Sequence, residues 1–500
     1  MTSYMSNPER FSYQHGRVKV KTTAQQAEEK RLEREKKKAA YLAATGLIYK
    51  KRTAGELDDE LLNYTAGILM NNPDDSTLWN IRREIFLKMK ADGIDTDGRT
   101  KDELSLTQQT LMKNPKSYGS WFHRGWTNEN LPDSPDWKKE LELSERFLEK
   151  DDRNFHCWDY RRFLVAKNSV SDAEELEFSR KRINSNFSNY SSWHYRSKLL
   201  PKLTPGRDGV SIEKKQLEAE FKLVLNAAFT DPQDQSAWMY HRWLLGKEEP
   251  KGALMLLKWY PKERSVLAVF DKALTENTLP VEAPEGQVLE GPKWEKVGGL
   301  PAAWVWRYQY GDLGEPESIV VGSTKLCLSC TEYRSDLGAE TPESLLERRA
   351  NLQWQLESTE QIIEMEPDSK WPLLTSVVLL HAMKPDPCHL RKYRVLDKLK
   401  EVDPYRKNYY DDLKSKLLIE DHLKPNTLEV DLSSLGLTSL HGCHLMATAE
   451  KLDLSNNQLT LEKLRHLRNC ARLKSLIVTG NAVTKDDVFD FLPSHVHIER

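Results

Sequence analysis

Residues 189–196 read NYSSWHYR and end in a Trp-x-x-Arg motif, Trp193 to Arg196, that recurs through the first half of the chain. Five copies or near copies occur, and successive tryptophans are 35 to 45 residues apart. That spacing is the length of two helices of roughly 12 to 15 residues with their turns. The series therefore predicts an α-α superhelical solenoid built from helical hairpins. The five copies are Trp79 with Arg82, Trp121 with Arg124, Trp158 with Arg161, Trp193 with Arg196, and Trp238 with Arg242.

A short polar residue stands four positions before each tryptophan and predicts where its helix begins, because its side-chain oxygen can cap backbone N–H groups. Pro73, Pro115 and Pro232 stand two positions earlier still. We expect these prolines to favour the helix start, since proline lacks an N–H that would be unpaired there. Each tryptophan then falls near the first turn of its helix. The polar residues are Asp75, Ser117, Asn154, Asn189 and Asp234.

Each arginine follows its tryptophan by about one helical turn and so lies on the same face. A planar guanidinium there can stack on the aromatic ring or bond backbone carbonyls of the neighbouring hairpin. Because every step of a repeat array needs the same packing, we expect most of these Trp and Arg side chains to pack between repeats. A subset could instead face a partner or a ligand.

Composition indicates a globular protein of two to four domains, since the chain has 500 residues of which 39% are hydrophobic. Its 74 basic and 76 acidic residues give no bias toward polyanions, so nucleic acid is a poor candidate partner. No apolar run is long enough to span a membrane, and the N-terminus lacks the apolar core of a secretory signal. Six scattered cysteines fit a reducing compartment, and we expect a cytoplasmic location.

The pattern divides the chain into five predicted segments. Residues 1–23 are polar and read as a flexible arm, and residues 24–250 carry the first part of the helical array. Residues 251–340 read as an inserted β domain, for which an immunoglobulin-like sandwich is suspected. The helical array continues over residues 341–424. Residues 425–500 read as leucine-rich repeats.

The prediction of an inserted β domain depends on short apolar runs between proline and glycine residues. Examples are Ala303–Tyr308, Ser318–Val321 and the run from Lys325 to Cys330. No Cys-Trp-Cys spacing specifies an immunoglobulin core. Cys327 and Cys330 have metal-ligand spacing, but no second pair at finger spacing accompanies them. Alternating residues on a strand are therefore favoured over a zinc site.

Two further patterns follow the insert. Residues 366–371 and 403–410 resemble decayed hairpin openings, with Trp371 and Tyr410 at the tryptophan position. Near the C-terminus, Asn457 and Asn481 are 24 residues apart within leucine-rich repeat patterns, in which the asparagine bonds backbone across the turn. Only about three such repeats are visible, so we expect the preceding helices or a partner to cap them.

No recognised catalytic motif occurs in the sequence. We find no Walker loop, no Gly-x-Ser-x-Gly, no His-Glu-x-x-His and no Gly-x-Gly-x-x-Gly after a strand. The motifs of the sequence therefore favour a scaffold protein over an enzyme.

The repeats resemble those of the protein prenyltransferase α subunits, whose hallmark reads Pro-x-Asn-Tyr-x-x-Trp-x-x-Arg. Asn189 to Arg196 and Asn154 to Arg161 match it closely. The β insert and the leucine-rich tail resemble the type II, or Rab geranylgeranyltransferase, α subunits rather than the α subunit shared by farnesyltransferase and the type I enzyme. The block from His15 to Thr22 also resembles the start of the type II subunits, which makes residues 1–14 look like an extension.

This resemblance implies a heterodimer in which the α subunit wraps around a β subunit. The β subunit would hold the zinc ion, activate the cysteine thiolate and contain the isoprenoid pocket, so this chain itself would bind no cofactor. The reaction would transfer geranylgeranyl from geranylgeranyl diphosphate to C-terminal cysteines of Rab GTPases, which an escort protein presents.

The resemblance also implies one site in this chain. In the family, a Lys-x-Tyr sequence in the second repeat reaches the isoprenoid diphosphate at the subunit boundary, and here it is Lys116-Ser117-Tyr118. Lys116 is the candidate that stabilises the diphosphate, and Tyr118 would support it; the alternative is a surface lysine at a helix start. His15 is a further candidate, one that could approach the metal of the partner subunit.

Two other functions stay open at this stage. A non-enzymatic helical-repeat and leucine-rich scaffold is one, although tetratricopeptide repeats keep a strict 34-residue period that this chain lacks. The α subunit of another protein prenyltransferase is the other, and the two additional segments disfavour it.

Overall fold

Most of the described residues are helical, and β-strands occur in two separate stretches. The computed structural model describes residues 24–131, 135–205, 212–246, 252–282, 294–310, 318–321, 323–328, 330–334, 342–383, 390–423 and 427–500. The chain divides into two units. The first contains the described residues up to Ser185 together with Asn189–Leu203, and the second contains Asn186–Ser188 and the described residues from Thr204 to Arg500. No described helix is both long and apolar enough to cross a membrane.

The first unit is a series of helical hairpins, α2 with α3, α4 with α5, α6 with α7 and α8 with α9, with α1 packed on α2. The helices are α1 (Ala24–Thr53), α2 (Asp59–Leu69), α3 (Ser76–Ala91), α4 (Asp97–Lys113), α5 (Tyr118–Asn130), α6 (Trp137–Lys150), α7 (Phe155–Lys167), α8 (Asp172–Ser185) and α9 (Tyr190–Leu203).

The tryptophan of each motif is buried in the first turn of the second helix of its hairpin, as the polar residues before it predicted. Asp75 accepts a hydrogen bond from the Leu78 N–H, and Asn154 accepts one from the Cys157 N–H. Ser117 caps α5 in the same way. These caps begin the helices at the positions that place each indole in the core.

The prolines before the caps have a different role from the one predicted. Pro73 and Pro115 lie outside the helices, and their carbonyl oxygens accept the indole N–H of Trp79 and of Trp121, each at 2.8 Å. The same carbonyls also accept a bond from the next hairpin. Ser117 Oγ donates to Pro73 O at 2.9 Å, and Asn154 Nδ2 donates to Pro115 O at 2.9 Å. The prediction that these prolines act through their missing N–H is therefore wrong.

The motif arginines are buried between two hairpins. Arg124 Nη1 donates to Leu104 O in its own hairpin at 2.7 Å, while its Nε and Nη2 donate to the two carboxylate oxygens of Glu140 at 2.7 and 2.6 Å. Glu140 belongs to α6, the first helix of the next hairpin. Two further pairs repeat this arrangement. They are Arg82 with Glu103, and Arg161 with Glu175.

A third side chain completes each buried ion pair. Tyr160 donates its hydroxyl to Glu140 at 2.6 Å, and Tyr195 donates to Glu175 at 3.0 Å. In the hairpin of α4 and α5, His123 Nε2 lies 2.6 Å from Glu103. Each of these residues follows its tryptophan by two positions and its glutamate by 20. One carboxylate thus accepts bonds from the arginine of one hairpin and from the aromatic residue of the next.

The helices of the second unit flank the β insert. They are α10 (Lys214–Thr230), α11 (Gln235–Leu244), α12 (Pro342–Met365), α13 (Lys370–Ala382), α14 (Arg391–Val402), α15 (Lys407–His422) and, within the C-terminal segment, the short α16 (Leu461–Leu464).

His241, rather than Arg242, occupies the arginine position in the last copy of the motif. His241 is fully buried and its Nε2 lies 2.7 Å from Gln355 Oε1, whereas Arg242 is only half-buried. The packing role predicted for Arg242 therefore belongs to His241, which stands three residues after Trp238, as the arginine does in the other copies. A neutral His–Gln pair replaces the Arg–Glu ion pair here, since burial lowers the His241 pKa to about 4.

The hairpin pattern continues in α13, but not through Trp371. Ser369 stands at the cap position, and its Oγ donates to Pro232 O at 2.9 Å, as Ser117 does to Pro73. Counting four residues from this cap gives Leu373, which is buried. The prediction that Trp371 holds the tryptophan position is therefore wrong by two residues. Tyr410 is buried in α15, and its hydroxyl donates to Asp403.

The insert contains two antiparallel sheets that share one hydrophobic cluster, with Trp259, Val281, Trp306 and Ile319 among its members. One sheet has the strand order β4-β5-β2-β1-β8, and the other has the order β3-β6-β7. The strands are β1 (Leu254–Tyr260), β2 (Ser265–Leu274), β3 (Val281–Glu282), β4 (Glu295–Lys296), β5 (Ala303–Gln309), β6 (Ser318–Val321), β7 (Thr324–Cys327) and β8 (Glu332–Arg334).

The C-terminal segment forms a parallel sheet with the order β12-β11-β10-β9. Asn457 Nδ2 donates to the carbonyls of Leu432 and Leu454 at 2.9 Å, and its Oδ1 accepts the Leu437 N–H at 2.9 Å. Helix α15 packs Ile419 against the cluster under this sheet. The strands are β9 (Glu429–Asp431), β10 (Lys451–Asp453), β11 (Ser475–Ile477) and β12 (His497–Glu499), of which β12 is not evident from the sequence pattern.

One face of the five-stranded sheet packs on the C-terminal segment. Leu267 and Val305 of the insert contribute to the same cluster as Ala447. Arg307 Nη2 also donates to Ala471 O at 2.7 Å. The insert and the C-terminal segment therefore share a buried boundary within the second unit.

We predict that His241 makes the chain sensitive to acid. The folded state keeps this imidazole neutral down to about pH 4, whereas the unfolded state protonates it near pH 6.5. Its contribution to stability is therefore full above pH 6.5 and is lost as the pH falls toward 4. Between pH 7 and pH 5 the loss should be about 2 kcal/mol more for the wild type than for His241→Gln, in urea unfolding followed by tryptophan fluorescence. Equal losses in the two proteins would contradict this assignment.

We also predict that Asn457→Ala destabilises the C-terminal segment. The substitution leaves two carbonyls and one N–H without their partner, and each buried unpaired group costs about 1–3 kcal/mol. The free energy of unfolding should fall by about 2–4 kcal/mol, less than the full sum because water reaches part of the site. Asp486→Ala, at an exposed position of the same segment, is the control and should stay within about 0.5 kcal/mol of wild type.

Candidate functional site

Lys116 and Tyr118 lie together at the start of α5, on the surface of the first unit. Both side chains are exposed, Tyr118 to 71%. The turn that carries them is fixed by Asn114, whose Oδ1 accepts the Lys116 N–H at 3.1 Å and whose Nδ2 donates to Asp74 at 3.0 Å. Ser117 between them is buried as the helix cap. Hydrogen bonds thus fix the backbone of the turn from which the exposed Lys116 side chain extends.

His156 joins this pair from the next hairpin. Its ring packs edge-on against Tyr118, with centroids 4.2 Å apart, and against Phe155 at 3.9 Å. Only 6% of His156 is exposed. Burial lowers the His156 pKa, and the positive charge of Lys116 lowers it further. His156 is thus linked to Tyr118 by ring packing and to Lys116 by charge.

Sequence reasoning did not identify His156 or Phe155 as site residues. A signal exists, because Phe155 stands three residues before Trp158, as Tyr118 does before Trp121. Residues at this repeat position begin the second helix of adjacent hairpins, so they meet at one edge of the array. Tyr190 holds the same position before Trp193.

Exposed aromatic side chains continue from this group over the surface. Phe122 is 65% exposed and lies one helical turn after Tyr118, on the same face of α5. Phe155 and Tyr190 are also exposed. Contiguous exposed aromatic surface of this kind is typical of a protein–protein contact.

A cleft of about 730 Å³ lies between α7 and α9, next to Phe155 and Tyr190. Trp158 and Tyr195 line its inner part, and it also has cationic side chains. The cleft could accept an apolar group that carries a negative charge. Its charged lining residues are Arg162, Asp172, Lys198 and Lys202.

The other predicted site residues are not brought to this surface. His15 lies outside the described residues. Cys327 ends β7, and its backbone N–H and carbonyl pair with those of Cys330, so both cysteines take part in strand pairing. The part of the chain that the structure describes contains no group of three or more His, Cys, Asp or Glu side chains arranged to hold a metal ion.

Comparison with known families identifies the hairpins. The family model of the protein prenyltransferase alpha subunit repeat matches residues 100–131, 137–168, 172–203 and 217–248. Three of these matches each span one hairpin of the first unit, and the fourth covers α10 and α11. The copy that contains Trp79 is outside the matched residues, although Arg82 makes the same buried ion pair as its counterparts.

Two mammalian relatives match nearly the whole chain, and a third relative matches about half of it. Geranylgeranyl transferase type-2 subunit alpha of Bos taurus is 40% identical, over 96% of this chain and 94% of that protein. The Homo sapiens subunit of the same name is 39% identical over the same shares. The Dictyostelium discoideum subunit is 38% identical over 46% of this chain and 74% of that protein. Among solved structures, Candida albicans protein geranylgeranyltransferase-I complexed with GGPP is similar with a TM-score of 0.45 and 18% identity, covering 75% of this chain and 89% of that one.

The pKa of His156 reports on the position of Lys116. We predict that Lys116→Gln raises this pKa toward its usual value, because a nearby positive charge is removed. Tyr118→Ala should raise it more, since burial is the larger cause of the shift. Titration of the imidazole Cε1–H by NMR would measure both. The control is Lys150→Gln, which changes an exposed lysine at the end of α6. If Lys116→Gln leaves the His156 pKa unchanged, Lys116 does not lie close to His156.

Proposed function

Because this chain belongs to the protein prenyltransferase α subunits, and among them to the geranylgeranyl transferase type-2 α subunits, we propose that it supports geranylgeranyl transfer to Rab GTPases. The chain is the α subunit of a prenyltransferase heterodimer. In the proposed reaction, C-terminal cysteines of a Rab GTPase, presented by an escort protein, receive the geranylgeranyl group of geranylgeranyl diphosphate. The observation that carries this proposal is 39–40% identity to type-2 α subunits over 96% of the chain, well beyond the helical repeats.

We propose that the zinc ion and the isoprenoid pocket belong to the β subunit. Zinc would lower the pKa of the acceptor cysteine and hold it as a thiolate. The role of this chain is then to bind the β subunit and to contact the diphosphate from its own side of the subunit boundary. His15 is a further candidate for approaching the metal from this chain.

Lys116 is the proposed catalytic residue of this subunit. As the allylic C–O bond breaks, negative charge accumulates on the departing diphosphate. An ammonium group aimed at that charge stabilises the transition state more than the ground state, and the effect grows when the partner subunit excludes water. Tyr118 would support Lys116 by packing on His156, which keeps the turn in one conformation.

The exposed aromatic side chains support the same position for the subunit boundary. Phe122 follows Tyr118 by one turn of α5, and the ring of Phe155, at the start of α7, lies 6.2 Å from that of Tyr118. Both phenylalanines are exposed. Covering them with a partner would bury apolar surface and desolvate Lys116 at once. We therefore propose that this surface faces the β subunit.

The segments outside the repeats complete the proposal. We propose residues 1–23 as an arm, 24–250 and 341–424 as the two parts of the helical array, 251–340 as an immunoglobulin-like sandwich and 425–500 as leucine-rich repeats. Two sheets around one core support the sandwich. Parallel strands with an asparagine ladder support the leucine-rich repeats. A cytoplasmic location stays a prediction from the cysteine content.

We predict that Lys116→Ala lowers kcat by about 10- to 1000-fold in the assembled enzyme. The heterodimer should stay intact, as judged by gel filtration, because the Lys116 side chain is exposed. Arg153→Ala is a matched control, since Arg153 is an exposed cation that stands five residues before Trp158, as Lys116 does before Trp121. Its kcat should stay within about twofold of wild type. An unchanged kcat in assembled Lys116→Ala enzyme would remove Lys116 from the mechanism.

A further inference from the structure

Arg83 differs from the motif arginines because no carboxylate neutralises it within the described part of the chain. Its Nη1 donates to His123 Nδ1 at 3.2 Å, and its Nη2 donates to Asn80 Oδ1. Both acceptors are neutral. The adjacent Arg82, by contrast, makes a bidentate ion pair with Glu103. Arg83 is half-buried, and this burial lowers its pKa.

The acceptor that holds Arg83 is itself fixed. His123 is fully buried between the rings of Trp79 and Trp126, with centroids 4.6 and 5.7 Å away. Its Nε2 lies 2.6 Å from Glu103, and a carboxylate there requires the proton on Nε2. Nδ1 is then an acceptor, and Arg83 is its donor. This contact orients the guanidinium without neutralising its charge.

The equivalent contact does not occur in the next two hairpins. Tyr160 and Tyr195 hold the position of His123, and each has one hydroxyl, which donates to the glutamate. The Tyr160 hydroxyl also accepts a bond, at 3.2 Å, but its donor is the buried amide of Asn128 rather than a surface cation. The histidine therefore connects the interior of this hairpin to a surface cation.

Arg83 lies beside the surface proposed to face the β subunit. Its guanidinium carbon is 5.1 Å from the centroid of the exposed Phe122 ring. Phe122 lies one turn of α5 after Tyr118, on the same helix face, and Lys116 stands two residues before Tyr118. A partner that covers Phe122 must also remove water from Arg83. A desolvated cation without a counter-charge is strongly unfavourable, so such a partner has to supply an anion.

We propose that Arg83 is a docking residue that receives a carboxylate side chain of the β subunit. This inference rests on the proposed function, and it specifies one ion pair between the two subunits of the heterodimer. A carboxylate is favoured because the planar guanidinium can bond both of its oxygens in parallel. His123, Asn80 and Phe122 hold the guanidinium in place before the partner arrives, which reduces the entropy lost on binding.

The test compares Arg83→Met with a matched control, Arg52→Met. Arg52 is a surface arginine of the same unit whose charge Glu84 already neutralises within the chain. Binding of the purified β subunit would be measured by titration at low and at moderate salt. We expect Arg83→Met to raise the dissociation constant on the order of 30-fold or more and to weaken its salt dependence. Arg52→Met should change it less than about threefold.

A second experiment separates docking from loss of fold. Arg83→Glu should abolish binding, and an Asp- or Glu-to-Arg substitution scan of the β subunit should find one position that restores it. Rescue by one such charge reversal supports the inference. If no reversal restores binding, or if Arg83→Met binds as wild type with an unchanged thermal unfolding midpoint, the inference is wrong.

The outcomes also separate this inference from the proposed function. If the wild-type chain fails to bind the β subunit or to support transfer, the proposed function itself fails. If the wild type binds and Arg83→Met changes only the KM for geranylgeranyl diphosphate, Arg83 contacts the diphosphate and the carboxylate assignment is overturned.

Discussion

The helical array of the first unit depends on a buried carboxylate that is shared between consecutive hairpins. Glu140 accepts two bonds from Arg124 of the preceding hairpin and one from Tyr160 of its own. Removing either charged member, Arg124 or Glu140, leaves an uncompensated buried charge, at a cost of about 3–5 kcal/mol. Apolar packing alone would tolerate small rotations of one hairpin on the next, whereas a bidentate ion pair sets the orientation. The surface turns that carry Lys116 and Phe155 are positioned by this contact, since both turns directly precede helices that it joins.

Histidine replaces one of the side chains of this buried group in two places along the chain. At the end of the motif series, His241 and Gln355 replace the ion pair with a neutral pair. In the hairpin of α4 and α5, His123 replaces the tyrosine and gains a second contact toward the surface. The repeat therefore fixes how consecutive hairpins pack, while the side chains that make the buried contact can differ from one hairpin to the next.

Much of this arrangement could be predicted from the sequence, because the residues concerned have strong local signals. Trp79 and its equivalents, with a capping residue four positions earlier, identify the hairpins and the start of each helix. The asparagine pattern around Asn457 and Asn481 identifies the turns of the C-terminal segment. The glutamates were not predicted, since Glu140 and Glu175 look like ordinary surface residues of a helix. Each glutamate stands 20 residues before the tyrosine that bonds it. This constant separation can be recognised only once the structure shows which residues are paired.

The site around Lys116 was predicted less completely, because its residues come from hairpins that are far apart in sequence. Lys116 and Tyr118 follow from a resemblance, but His156 meets them only because consecutive hairpins stack in register. Arg242 was assigned a packing role because it is the arginine nearest to the motif spacing, and the structure gives that role to His241. A near match in sequence cannot distinguish two adjacent residues that point in directions about 100° apart on a helix.

The position of the β insert has a consequence for folding. The pairs that continue the helical array across it are far apart in sequence, since Gln355 stands 114 positions after His241. Contacts between such distant residues form slowly, because the intervening chain must first lose conformational entropy. The first and last strands of the insert, β1 and β8, are neighbours in one sheet, with Leu256 opposite Arg334. An insert that folds first brings the two helical stretches together and leaves a connection roughly a third as long, which reduces the loop-closure cost by about 1 kcal/mol. Formation of the insert therefore lowers the entropic cost of joining the helices on its two sides.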